Sequence, residues 1–106
     1  MEAAELESTP TISPMGTLRD VLEALSDPVR LEMVRRLDRE GTPVACADLY
    51  DSVSKSTASH HFKVLREAGL TERLTISGKT HQSLRLDDLE GSFPGVVSSI
   101  LAASRA

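Results

Sequence analysis

Residues 54–69, SKSTASHHFKVLREAG, most constrain what this chain can fold into. Ser54 is a good helix N-cap, and Gly69 suits the left-handed position just past a helix end. Between them, Ala58, Phe62, Leu65 and Ala68 recur at the spacing of one helical face. The other face is Lys55, Ser56, Ser59, His60 and Lys63. A helix over Lys55 to Ala68 therefore has one side for a core and one side that is short, polar and basic. Small side chains permit close approach to another surface, and the basic ones suit a polyanion.

The segments around it have equally local signals. Leu18, Val21, Leu22 and Leu25 predict a first helix from about Met15 to Leu25. Asp27-Pro28 places an N-cap before a proline at the first helical position, so a second helix runs from Pro28 to Glu40. Leu31, Val34 and Leu37 form its stripe, and Gly41 ends it. Thr42-Pro43-Val44 reads as an extended connector, and a short third helix is expected over Ala45 to Asp51. After Gly69 the period changes to two. Leu70–Ser77 and Thr80–Leu86, with Gly78-Lys79 between them, predict a β-hairpin. Residues 86–89 read as another turn. A last helix, Pro94 to Ser104, carries the stripe Val96, Val97, Ile100 and Leu101.

Residues 1–14 hold three Glu, two Pro and several Ser/Thr without apolar periodicity, and are expected to be a disordered arm before one domain over 15–106. Charge is uneven along the whole chain. Residues 54–86 carry six bases against two acids, net +4, while the rest carries six against fourteen, net −8. A basic patch on an acidic chain is a candidate polyanion site; an ordinary solvated face is the alternative. The three aromatic residues, Tyr50, Phe62 and Phe93, are too few for a base-stacking platform, which argues against single-stranded nucleic acid. One cysteine, Cys46, can form no internal disulfide. Without a long apolar run or a basic-then-apolar leader, the chain is expected in the cytoplasm. No nucleophile elbow, phosphate-binding glycine loop or paired His/Asp signature supports an enzyme.

The order helix, helix, short helix, polar-faced helix, hairpin, helix is that of a winged helix-turn-helix: mainly α, five helices, one β-hairpin wing. Such a chain fits double-stranded DNA. The major groove admits one helix, and the polar face of 55–68 is the one to insert. Lys55, Ser56, Thr57, Ser59, His60 and Lys63 are the expected contacts, with Lys79 and His81 of the wing at the backbone. His61, beside Phe62, is as readily a packing residue as a contact.

The runs ALSDPVRLEMVRRL and ADLYDSVSKSTASHHFKVLREAGLTERLTISGKT resemble the ArsR/SmtB-type winged-helix transcriptional regulators over roughly residues 18–90. The Asp-Pro-x-Arg-Leu start of the second helix and the Ser59 to Leu70 run are the specific parts. The resemblance implies a homodimer on an imperfect inverted repeat near a promoter, usually as a repressor. Its interface would join the first and last helices: Leu18, Val21, Leu22, Leu25, Val96, Val97, Ile100 and Leu101. Those two stripes also lack an obvious partner in so small a chain. Activation, or docking of a protein instead of DNA, are the alternatives.

Many members of this family sense metals. The resemblance puts Ala45 and Ala47 at the two cysteine positions of one familiar site, with Cys46 between them. The other familiar site draws Asp, His and Glu from the last helix, and residues 92–106 contain none of these. Cys46 is therefore expected to be a small apolar packing residue. A weak Ni or Zn site from histidines and carboxylates has no motif; a different effector or a partner protein is equally open.

Overall fold

The computed structural model describes residues 9–105. Helix α1 spans Leu18–Leu25, and Thr17 and Asp20 close it reciprocally. The Thr17 hydroxyl accepts the Asp20 amide at 3.1 Å, and the Asp20 carboxylate accepts the Thr17 amide at 2.9 Å. This capping box starts the helix three residues later than the apolar pattern does. Helix α2, Pro28–Glu40, begins and ends where expected, with Asp27 as its N-cap and Gly41 in the left-handed conformation. Helix α3, Lys55–Ala68, likewise runs from the Ser54 cap to Gly69.

Asp27 takes the amides of Val29 and Arg30 at 2.8 and 3.1 Å. Desolvation works against its charge. The amides of Arg30 and Val29 outweigh it and hold the carboxyl below its ordinary value of 3.8. A carboxyl with a lower pKa folded than unfolded stabilises the fold above the unfolded value and loses that contribution as pH falls through the folded one. Asp27→Ala is expected to cost about 1 kcal/mol at neutral pH. The gap from wild type should narrow as pH falls below about 4, measured by urea denaturation. A gap that widens in acid would contradict this role.

Between α2 and α3 the chain departs from the expected short helix over Ala45 to Asp51. Val44–Ala45 form a two-residue strand, β1, and only Cys46–Asp48 turn as a 3-10 helix. Pairing with the hairpin is what extends the backbone there. Strands β2, Thr71–Ile76, and β3, Lys79–Leu84, make that hairpin, and the sheet order is β1-β3-β2, all antiparallel. Its two-residue loop is Ser77-Gly78, both at positive φ, the geometry that matches strand twist. Lys79 thus opens β3 instead of sitting in the loop. Helix α4, Leu86–Ser92, was expected only as a turn, and α5 begins at Val96 and ends at Ser104. With these, the described residues form five α-helices and a three-stranded sheet.

The expected disordered arm over 1–14 needs correction for its second half. Thr11 pairs with the edge strand: its amide donates to the Arg73 carbonyl at 2.7 Å, and the Arg73 amide returns a bond at 3.1 Å. The Arg85 guanidinium donates to the Ser13 carbonyl at 2.8 Å. Unpaired groups on an edge strand draw in passing chain whatever its composition. The remainder of the arm, 1–8, lies outside the described residues.

The core gathers Val21, Ala24 and Leu25 of α1, Met33, Val34 and Leu37 of α2, and Ala58, Phe62, Leu65 and Ala68 of α3. Leu49, Leu70, Leu89, Val97 and Leu101 complete it. Gly69 sits at φ +96°, where a Cβ would lie 2.6 Å from the Met15 sulfur and 3.0 Å from its Cα. Gly69→Ala combines backbone strain with that clash and is expected to cost about 1–3 kcal/mol. Thermal unfolding checks it; an unchanged midpoint would show that the α3 end is not held as described. Among the described residues, no helix is long and apolar enough to cross a membrane.

Candidate nucleic-acid interface

Helix α3 divides as its sequence predicts. Ala58, His61, Phe62, Leu65 and Ala68 are buried, while Lys55, Ser56, Thr57, Ser59, His60 and Lys63 are exposed. The first turn is fixed by Ser54, whose hydroxyl accepts the Thr57 amide at 3.2 Å and donates to the Thr57 hydroxyl at 3.0 Å. Ser56 lies within 3.3 Å of the same oxygen. Ser59 and His60, further along, project from the second turn.

His61 belongs to the scaffold. It is 8% exposed, and Arg30 donates to its Nδ1 across 3.1 Å. A guanidinium cannot accept, so this contact keeps Nδ1 as the acceptor. Arg30 also donates to the Ala24 carbonyl at 2.7 Å, in the last turn of α1. Asp27 and Arg30 thus have structural tasks: one starts α2, and the other ties the end of α1 to α3 and sets its angle.

The hairpin stands beside α3, and together they enclose a groove of about 500 Å³. Lys55 and Lys63 line it from α3 and Lys79 from the wing, as expected of a shared polyanion surface. Arg66 and Arg73 line it too, and among the described residues no acid does. Neither arginine was singled out from sequence. The register hid them: the loop at Ser77-Gly78, one residue earlier than the expected Gly78-Lys79, sets Arg73 opposite Gln82, on one face.

His81 does not join this group. Successive strand residues point to opposite faces. Gln82 lines the groove, while His81 lines a separate cleft with Arg36, Arg39 and Asp48. Its Nδ1 lies 2.9 Å from the Lys79 carbonyl. The structure thus places His81 apart from the groove that Lys79 lines.

The expected dimer stripes also split. Val21, Leu25, Val97 and Leu101 are buried within the chain itself, so the idea that it is too short to cover them is wrong. Leu18 and Leu22 remain 42% and 44% exposed, and Val96 and Ile100 are half-buried.

Cys46 is half-buried and packs against the core. Desolvation pushes its thiol up, and Gln82, Arg73 and Arg66 pull it back only in part. The protonated thiol is a poor metal ligand. Glu90, a candidate oxygen ligand, is engaged: the Gly95 amide and the Ser98 hydroxyl donate to its two oxygens at 2.8 and 2.7 Å. Among the described residues, no three His, Cys, Asp or Glu side chains gather as a metal site. Calorimetric titration with Zn2+ is expected to give the same weak isotherm for wild type and Cys46→Ser. Submicromolar binding that vanishes with the thiol would contradict this.

A family model described as a helix-turn-helix domain matches residues 25–73. An uncharacterised HTH-type transcriptional regulator, YceK, of Bacillus subtilis (strain 168) is 38% identical over 82 residues, spanning 76% of this chain and 82% of that protein. The crystal structure of the transcriptional repressor BigR from Xylella fastidiosa superposes with a TM-score of 0.56 at 25% identity, covering 72% of this chain and 85% of that one. That of an ArsR family transcriptional regulator gives a TM-score of 0.61 at 18% identity, covering 86% and 93%. The fold is the winged helix-turn-helix of such regulators.

Proposed function

Since this chain belongs to the HTH-type transcriptional regulators, with the winged helix-turn-helix of their ArsR-type members, we propose that it is a homodimeric repressor of a promoter-borne inverted repeat. The observation that carries this reading is the single exposed face of α3, small and basic, continuous with the cationic side of the wing. Ser56, Ser59, His60 and Lys63 read base edges in the major groove. Thr57, whose hydroxyl is tied to Ser54, takes phosphate through the helix N-terminus. Lys55 and Lys79 hold the backbone, which positions the helix without reading sequence.

Two copies meet through Leu18 and Leu22 of α1, with Val96 and Ile100 of α5 beside them. The half-exposed leucines are the best available motive for a second copy, since their own chain leaves them uncovered. A twofold dimer places its two reading helices on half-sites roughly 10 base pairs apart or a multiple of that. Repression follows from occupying a promoter, and the likeness to BigR, a transcriptional repressor, supports it.

The test is selection of bound duplexes from a random library, followed by mobility shift with the recovered DNA. An inverted repeat is expected. If no duplex is enriched, α3 does not read DNA and protein docking becomes the better reading. At the recovered site, Lys79→Ala should weaken all sequences alike and lower the slope of log affinity against log salt by about one. A loss confined to one base position would instead make Lys79 a reader.

A further inference from the structure

The groove between α3 and the wing has more chemistry than a phosphate track needs. Cations line it, but its floor is apolar: Tyr50 and Phe62 meet edge to face at 6.2 Å, beside Cys46. Against that floor stands Gln82. It is 1% exposed, its Nε2 makes a long contact of 3.7 Å to the Cys46 sulfur, and its Oε1 has no partner among the described residues. An orphaned buried acceptor is costly, and structures generally satisfy such a group. The phosphate diester of a DNA backbone has no proton to donate to it and no apolar body for the floor.

We propose that this groove binds a small aromatic or aliphatic carboxylic acid bearing a hydroxyl or amino donor, and that its occupancy releases DNA. The carboxylate pairs with Arg66 and Arg73, the apolar body covers Tyr50 and Phe62, and a turn of the Gln82 amide, which lines the groove, brings its Oε1 to the donor. Arginine forks suit a carboxylate, which they can hold through two parallel hydrogen bonds. Lys63 and Lys79 line the same space, so a bound acid neutralises cations that the operator needs. The regulatory half rests on the DNA-reading role proposed above, whereas the site itself does not.

Binding is therefore measured first without DNA, by amide chemical shifts of the full chain titrated with para-hydroxybenzoate, benzoate and inorganic phosphate. Para-hydroxybenzoate is expected to saturate, moving Cys46, Phe62, Arg73 and Gln82, and to bind tighter than benzoate. Arg66→Gln/Arg73→Gln should weaken it roughly tenfold or more. Gln82→Met, of similar volume, should erase the preference for the hydroxyl. If that variant fails to fold, the ratio of the two acids in wild type still decides the donor. No saturation by either acid overturns the site, as does phosphate producing the same shifts, which would make the groove a backbone track only. In a second arm the saturating acid is added to the protein–DNA complex. Release is expected; an intact complex overturns the regulatory half and leaves the site standing.

Discussion

A chain carrying Ser59→Ala and His60→Ala is expected to bind its selected operator about 2–4 kcal/mol more weakly, since a base-reading side chain contributes roughly 1–3 kcal/mol. Both residues are exposed on the second turn of α3, so the thermal midpoint should not move. The loss should be specific: binding to a scrambled duplex of the same length falls little, and discrimination collapses. Fluorescence anisotropy at one fixed salt concentration measures both. Full operator affinity in the double variant would sink the assignment of α3 as the reader. Lys63→Ala separates two roles for that lysine: as a base reader it should weaken the operator alone, whereas a phosphate contact would weaken both duplexes equally.

The second large effect is on assembly. Leu18→Glu/Leu22→Glu is expected to convert the dimer to a folded monomer. Twofold symmetry counts each substitution twice, and burying a carboxylate against an apolar face costs more than the lost apolar area. A rise of about a thousandfold in the dissociation constant is expected, visible by light scattering at micromolar concentration, from about 1 kcal/mol per leucine still to be buried. Because both leucines are already near half exposed, the chain should keep its helical circular dichroism. Ile100→Glu is a poorer probe, since that side chain packs partly against its own core. A dimer of unchanged strength in the double leucine variant would place the interface elsewhere.

What was legible in the sequence follows the range of the forces involved. Helices α2 and α3 were readable to the residue because their ends are decided locally, by Asp27 and Pro28, by Ser54, and by Gly41 and Gly69. The polar face of α3 was readable for the same reason: periodicity alone assigns sides. Strand β1 was not, since two residues extend only because β3 lies beside them. Helix α4 contains Gly91, a poor helix former, and forms where Leu89 can be buried. The stripes of α1 and α5 showed which residues turn inward, but not which neighbour covers them. Val21 and Val97 are covered by the chain itself, and Leu18 and Leu22 are not. Thr11 was hidden because composition says nothing about a passing edge strand. Arg66 and Arg73 were visible as charge and invisible as a pair, because only the hairpin beside α3 brings them to one groove.

The proposed function is sequence discrimination on DNA by a dimer of this fold. Its most direct test is the affinity of the wild-type chain for the selected inverted repeat against a scrambled duplex of equal length and composition, at one physiological salt concentration. A preference of about a thousandfold or more is expected, the range of sequence-specific regulators. Equal affinity for the two duplexes, at any level of tightness, would contradict it and reduce the basic face of α3 and the wing to a nonspecific polyanion surface.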